Sequence, residues 1–235
     1  LHFAATEEAA LRLRAMGEEE WRIHRVGAPG LDGIHEAARA AAEALPEEER
    51  HSPPPVVFLF HADRLAQERA GEVARGILEE LRGRDLPVVA IYPNSDPGSD
   101  AIVAEIERAL AAAPERLTVH RSLPRRRFLG LLARARVLVG NSSAGIIEAP
   151  ALGLPAVNVG ERNRRREHGA NVLFVDREPG SLKRALDRAL GDPSWLASLK
   201  EAPNPYGDGR AAQRIASILA EISIDEAFYR KRLTI

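Results

Sequence analysis

Short apolar runs punctuate this chain, and most of them show no alternation of polar and apolar positions. Residues 56–60, 87–92, 117–120, 137–139, 156–159 and 172–175 are of this kind, the pattern of strands covered on both faces of a sheet. Between the first four, residues 68–81, 101–112 and 125–135 repeat apolar positions at helical spacing. Strands alternating with helices of about ten to fifteen residues predict an α/β fold built on a doubly wound, Rossmann-like parallel sheet. Upstream, residues 1–5 and 22–26 read as two further strands around a helix. Thr6 is placed to cap that helix, Glu7 and Glu8 fall in its first turn and Gly17 closes it. Gly27-Ala28-Pro29-Gly30 reads as a turn or hinge, residues 33–45 as a helix and Pro53-Pro54-Pro55 as a boundary. Residues 204–219 read as a turn followed by an amphipathic helix.

Composition narrows the classes. A chain of 235 residues, 45% apolar, accommodates one large domain or a domain and part of another around a real core. Its net charge of −1 gives no electrostatic case for nucleic acid or an anionic membrane. The lack of cysteine removes disulfide frameworks, thiolate metal sites and thiol nucleophiles. No apolar run has the length of a bilayer span. The chain starts at Leu1, inside a predicted strand and without an initiator Met, so a fragment is expected. No Walker A run, G-x-G-x-x-G, H-E-x-x-H, G-x-S-x-G elbow or metal-ligand cluster is present. Kinase, dehydrogenase, zincin and hydrolase readings lose their usual support, and no cofactor is expected.

The densest chemistry lies in VLVGNSSAGIIEAPALGLPAVNVG, residues 137–160. It reads as strand, polar turn, a helix from about Gly145 to Leu152 that ends at Gly153, and a second strand. Such a turn gathers backbone N–H groups, the Ser142 and Ser143 hydroxyls and a helix N-terminus, a setting for phosphate or another anion. Glu148 falls in the first helical turn, where a carboxylate can accept from a ribose diol. The same residues equally fit a plain helix start, with Gly145 as N-cap and Glu148 as its N3 glutamate. In a doubly wound sheet, ligands bind beyond the carboxyl ends of the strands. His61, Asn94, Leu123 and Ser142-Ser143 each follow a predicted strand directly, which puts four candidates on one edge. A histidine there can bond a phosphate or move a proton near neutral pH. Asp96-Pro97-Gly98-Ser99 is good turn chemistry and Asp100 a cap for the next helix. Arg164-Arg165-Arg166 reads as a solvated loop, with a regulatory anion site as its alternative. Gly207-Asp208-Gly209 fits a ligand-facing turn or a helix cap equally well.

GNSSAGIIEAPALGLPAVNVGERN closely resembles the nucleotide-sugar 2-epimerase family, and within it the hydrolysing UDP-N-acetylglucosamine 2-epimerases. The non-hydrolysing branch has an Asp-Ser-Gly-Gly turn followed by Gln-Glu-Glu-Ala-Pro, which is not what stands here. LHFAATEEA, VGAPGLDGI, YPNSDPGSD and NPYGDGRAAQRIASIL extend the resemblance along essentially the whole chain. It implies a two-domain architecture shared with B-type glycosyltransferases. Residues 1–30 then end an N-terminal Rossmann-like domain and its hinge, and residues 31–235 form the C-terminal nucleotide-binding domain with its closing helices. It implies that UDP-N-acetylglucosamine and water become N-acetylmannosamine and UDP, by elimination to a glycal and hydration, in a sialic, nonulosonic acid or amino-sugar pathway. By residue, it implies a catalytic role for His61, although Ala62-Asp63-Arg64 replaces the usual His-Pro pair after it. It implies a nucleotide contact for Asn94, a backbone contact with uracil at Leu123 and a diphosphate site at Ser142, Ser143 and Arg162. Glu148 then binds ribose. A guanidinium fork suits a phosphate because it gives two parallel hydrogen bonds. The sugar-facing carboxylates belong to the upstream domain, so this chain alone is expected to bind UDP weakly and turn over nothing. A cytoplasmic homodimer or homotetramer is expected. Other nucleotide sugars, particularly diacetamido sugars, remain alternatives, as do a glycosyltransferase and a non-catalytic nucleotide-sugar-binding module.

Overall fold

The structure is a computed structural model that describes residues 1–63, 67–176, 178, 180–232 and 234. Arg64, in the stretch after His61, and Leu233 and Ile235, in the tail, lie outside the described residues. β1 (His2–Ala4) and β2 (Ile23–Arg25) pair in parallel as a separate two-stranded sheet joined by α1 (Glu7–Ala15). Thr6 caps α1 as predicted, its hydroxyl oxygen accepting the Ala9 N–H at 3.2 Å. A 3₁₀ turn at Pro29–Leu31 leads into α2 (Ile34–Glu43) and then α3 (Glu47–His51). α3 reads EEERH and has no apolar period by which the sequence could announce it.

The main sheet takes β3 (Val56–Leu59), β4 (Val88–Ile91), β5 (Leu117–His120), β6 (Val137–Gly140), β7 (Ala156–Val159) and β8 (Val172–Val175). Their spatial order is β5-β4-β3-β6-β7-β8, and every neighbouring pair is parallel. α4 (Ala70–Arg82), α5 (Ser99–Ala112) and α6 (Arg125–Arg134) connect the first four strands. The chain therefore leaves β3 toward one side of the sheet and returns at β6 on the other. The crevice beyond β3 and β6 is the topological switch point of the fold.

Both faces of the central strands are covered, which explains their unbroken apolar runs. Val56 and Phe58 share a core with Ile77 and Leu81 of α4 and with Ile102 and Ile106 of α5. Val57 and Leu59 point the other way, into a core with Leu132 of α6 and Leu138. Each such side chain stabilises by about 1.5–3 kcal/mol through its removal from water, so the strand ends sit on a rigid base.

Three expectations need correction. Residues 145–152 do not form one helix: Ser143–Gly145 is a 3₁₀ turn and α7 runs only over Glu148–Ala151. Pro150 has no N–H and would clash inside a helix begun at Gly145, whereas in the first turn of one begun at Glu148 it breaks no bond. Gly145 is accordingly no N-cap, and the four-residue α7 brings little dipole to the turn. Asp100 is no cap either, since α5 starts at Ser99 after Gly98, which adopts φ 91°.

α8 (Ser181–Gly191) and α9 (Pro193–Leu199) complete the layer below β7 and β8. The start of α9 is visible in the sequence as Asp-Pro: Asp192 accepts the Trp195 N–H at 3.0 Å and Pro193 opens the helix. α10 (Ala211–Glu221) is capped across the fold, its Ala211 and Ala212 N–H groups donating to the Asp32 carboxylate at 2.8 and 2.5 Å. Asp208 instead pairs with Arg214 at 2.7 and 2.8 Å, which holds its carboxyl down to about 2. The Gly207-Asp208-Gly209 turn thus serves the packing of α10. α11 (Glu226–Tyr229) returns the chain to the β1–α1–β2 unit, where Arg22 donates to Ala227 O at 2.9 Å. Among the described residues, no helix is long and apolar enough to cross a membrane.

Candidate functional site

β6 approaches β3 so closely at its carboxyl end that only a glycine fits. Gly140 adopts φ 144°, and a Cβ there would lie 2.0 Å from the Leu59 carbonyl oxygen. The next residue, Asn141, is 1% exposed and grips the backbone of His61 with both ends of its amide. Its Oδ1 accepts the His61 N–H at 2.8 Å and its Nδ2 donates to His61 O at 2.9 Å. Asn163 is buried beside it and donates to Asn141 O at 2.9 Å, Ser142 O at 3.3 Å and Asn158 Oδ1 at 3.1 Å. Three buried asparagines therefore tie together the ends of β3, β6 and β7. None was singled out from the sequence. Asn158 carried a usable signal, because a polar side chain within a strand buried on both faces must find a partner.

Over this platform lies a polar cluster. The backbone N–H of Asn94 donates to His61 Nδ1 at 3.1 Å, so that nitrogen is unprotonated and the ring proton sits on Nε2. Burial pushes the half-buried imidazole below its ordinary pKa, and the nearby Arg162 charge lowers it further, against the opposing pull of the Asn94 side chain and Asp96. The ring is therefore neutral at neutral pH and presents Nε2–H as a donor. Asp96 accepts from Asn94 Nδ2 at 2.6 Å and pairs with Arg162 Nη1 at 3.6 Å. Asp96 follows β4 and Arg162 follows β7, so this ion pair reaches across the switch point above the ends of β3 and β6. Both partners are about a third exposed, and a pair of that kind is worth little in water. A phosphate can replace Asp96 as the partner of Arg162 at small cost.

The serine turn is adjacent through Asn163. Ser142 is half-buried and its Oγ accepts the Ala144 N–H at 3.3 Å, while Ser143 is exposed at the start of the 3₁₀ turn. Accepting a bond leaves the Ser142 hydroxyl proton available for donation. The structure thus brings His61, Asn94, Arg162 and the Ser142-Ser143 turn together. Glu148 and Leu123 have other partners. Glu148 is bonded to Arg125, Nη1 to Oε1 at 3.3 Å. Leu123 packs its partly buried side chain against the core that holds Leu132.

Arg164 and Arg166, in the run after Arg162, are exposed but engaged. Arg164 pairs with Glu161 at 3.2 Å and donates to Val175 O at 3.1 Å, and Arg166 lies over the Tyr206 ring. Glu167 accepts the Glu8 N–H at 3.0 Å, which docks the loop after β7 onto the N-terminus of α1. A cavity of about 640 Å³ opens beside Ala5 and Val26, which directly follow β1 and β2, and is lined further by the start of α2, by Pro150 and Ala151 of α7 and by residues 200–214. Of the cations that line it, Arg214 pairs with Asp208 and Arg25 with Glu7.

The His61 environment yields a titration prediction. Its folded-state pKa lies below the unfolded value near 6.5, so the neutral ring stabilises the fold above about pH 6.5. That contribution is lost as the pH falls from there through the folded pKa. Proton NMR should place the His61 midpoint below 6.5, and Arg162→Ala should raise it by removing the second cause. A midpoint above 6.5 would contradict this geometry.

Comparison with known proteins places the chain. The family model described as UDP-N-acetylglucosamine 2-epimerase matches residues 1–220. Among curated relatives, a UDP-N,N'-diacetylbacillosamine 2-epimerase (hydrolyzing) of Legionella pneumophila is 32% identical over 232 residues, 98% of this chain and 60% of the relative. A UDP-N-acetylglucosamine 2-epimerase of Neisseria meningitidis is 31% identical over 193 residues, 80% of this chain and 50% of the relative. The chain thus spans 50–60% of the length of these two relatives. The crystal structure of a Neisseria meningitidis UDP-GlcNAc 2-epimerase bound to UDP-GlcNAc has the same fold, with TM-score 0.74 at 18% identity over 94% of this chain and 61% of that one.

Proposed function

This chain belongs to the UDP-N-acetylglucosamine 2-epimerase family, and from that premise we propose that it is the UDP-binding portion of a hydrolysing nucleotide-sugar 2-epimerase. In the proposed reaction, UDP-N-acetylglucosamine and water give N-acetylmannosamine and UDP. The sugar loses its C2 proton while the bond from C1 to the diphosphate oxygen breaks, releasing UDP and leaving a glycal. Water then adds across the C1–C2 double bond, with hydroxyl to C1 and hydrogen to the opposite face of C2.

Negative charge builds on the departing diphosphate, and donors already in place stabilise it without reorganising. The hydroxyls of Ser142 and Ser143, the Arg162 guanidinium and the Nε2–H of neutral His61 take that role. Asn94 contacts the nucleotide, Glu148 receives the ribose diol and the backbone at Leu123 meets the base. The observation that carries this reading is the gathering of His61, Asn94, Arg162 and the serine turn at the switch point, with His61 held as a neutral donor. Residues 1–30 belong on this reading to a preceding domain that supplies the acids and bases at the sugar. This chain alone then binds UDP and releases no sugar.

A second reading keeps the chemistry and changes the sugar to a UDP-linked diacetamido sugar. The Legionella relative, aligned over 98% of this chain, favours it. The test is a panel of nucleotide sugars offered to the protein together with its preceding domain. Release of the free C2-inverted sugar and UDP is expected, and the preferred donor separates the two readings. Transfer to an acceptor without free sugar, or binding without turnover, would refute both.

A further inference from the structure

Glu148 stands in an arrangement that the roles above do not account for. Its side chain is 15% exposed, and its Oε1 accepts from Arg125 Nη1 at 3.3 Å. Arg125 opens α6, on a different segment of the chain, and its Nη2 donates to the carbonyl of Gly30 in the turn before α2. The backbone beside Glu148 is fixed as well, since Asn204 Nδ2 donates to Ile147 O at 2.9 Å. A glutamate side chain has three rotatable bonds, and holding it in one rotamer before a ligand arrives removes an entropic cost from binding. A planar guanidinium with one arm on a backbone carbonyl and the other on a carboxylate does this as a rigid strut. With Oε1 engaged, Oε2 has no protein partner among the described residues.

We infer that Arg125 is a positioning residue for nucleotide recognition: braced on Gly30 O, it holds Glu148 so that Oε2 accepts from the vicinal hydroxyls of a ribose. The inference rests on the reading of Glu148 as the ribose acceptor and adds the residue that makes that acceptor competent. Arg125 touches no phosphate on this account. Its contribution therefore depends on the ligand's hydroxyls and not on the ligand's charge. A lysine at the same position keeps the charge but cannot reach both partners with a rigid fork, so it restores little.

The experiment compares binding of UDP and 2′,3′-dideoxy-UDP to the wild-type chain, Arg125→Ala, Arg125→Lys, Glu148→Ala and the double variant Arg125→Ala/Glu148→Ala. Thermal melts confirm that each is folded, which a half-exposed arginine permits. Wild type should prefer UDP to the dideoxy ligand by about tenfold, the effect of one good charge-assisted hydrogen-bond set. Arg125→Ala should lose most of that preference by weakening UDP alone, Arg125→Lys should resemble it, and the double variant should be no worse than Glu148→Ala. Equal weakening of both ligands in Arg125→Ala would make Arg125 a simple charge contact and overturn the inference, as would an unchanged preference. If Glu148→Ala itself leaves the preference intact, the ribose role of Glu148 fails first and the inference with it. An absence of UDP binding by folded wild type would defeat the reading of the whole site.

Discussion

Gly140→Ala is expected to prevent the native fold from forming at all. The strand ends β3 and β6 meet at Gly140, where a Cβ would sit 2.0 Å from Leu59 O and 2.5 Å from its carbonyl carbon. These are backbone atoms of a central strand whose Val56, Val57 and Phe58 are 0% exposed, so neither strand can give way without opening the core. The φ of 144° adds a second penalty, because side-chain-bearing residues rarely adopt it. Most substitutions cost about 0.5–3 kcal/mol, and larger losses follow from named mechanisms such as overpacking and a special φ. Both act here, so the loss should exceed about 4 kcal/mol, a large part of the stability of an ordinary domain. Circular dichroism and urea titration of the purified variant should show little cooperative unfolding. A variant that melts within a few degrees of wild type would show that the two strands are not held this close.

The second large effect is expected at Asn141. Removing its amide by Asn141→Ala strands the His61 N–H and the His61 carbonyl together, both of which the amide satisfies at 2.8 and 2.9 Å. A fully buried unsatisfied group costs about 1–3 kcal/mol and His61 is half-buried, so the two together should cost the variant about 1–3 kcal/mol in urea unfolding. Asn141→Asp separates shape from chemistry. The carboxylate keeps the acceptor for His61 N–H but sets a second oxygen against His61 O, where Nδ2 now donates. It should therefore be as unstable as the alanine variant at neutral pH and recover partly in acid, where a protonated carboxyl can donate. Wild-type stability for Asn141→Asp at neutral pH would rule out the two-ended grip. UDP binding should fall in both variants, because the same grip aims His61.

The parts of this fold that were legible in the sequence are those that a local pattern encodes. Unbroken runs such as VVFLF announce strands covered on both faces, and the apolar period of residues 68–81 announces α4. The placement of His61, Asn94 and the serines on one sheet edge followed from the same pattern. What was hidden depends on partners far apart in the chain. Nothing local says that Asn141 holds His61, eighty positions away, or that Asp32 caps α10. The helix expected over residues 145–152 failed on a signal that was present but underweighted, the proline at position 150. Arg125 is the first of three consecutive arginines and carries no local signal of a role, and only the fold sets it between Glu148 and Gly30.

The proposed function stands or falls with binding of a uridine nucleotide's diphosphate in the crevice beyond β3 and β6. Calorimetric titration of UDP into this chain tests it most directly, with Arg162→Ala and Ser142→Ala/Ser143→Ala alongside. Wild type should bind, and each variant should lose about tenfold or more, equivalent to about 1.4 kcal/mol, with melting temperatures close to wild type. Folded wild type that does not bind UDP, or variants that bind it as tightly as wild type, would rule out a diphosphate site at this crevice.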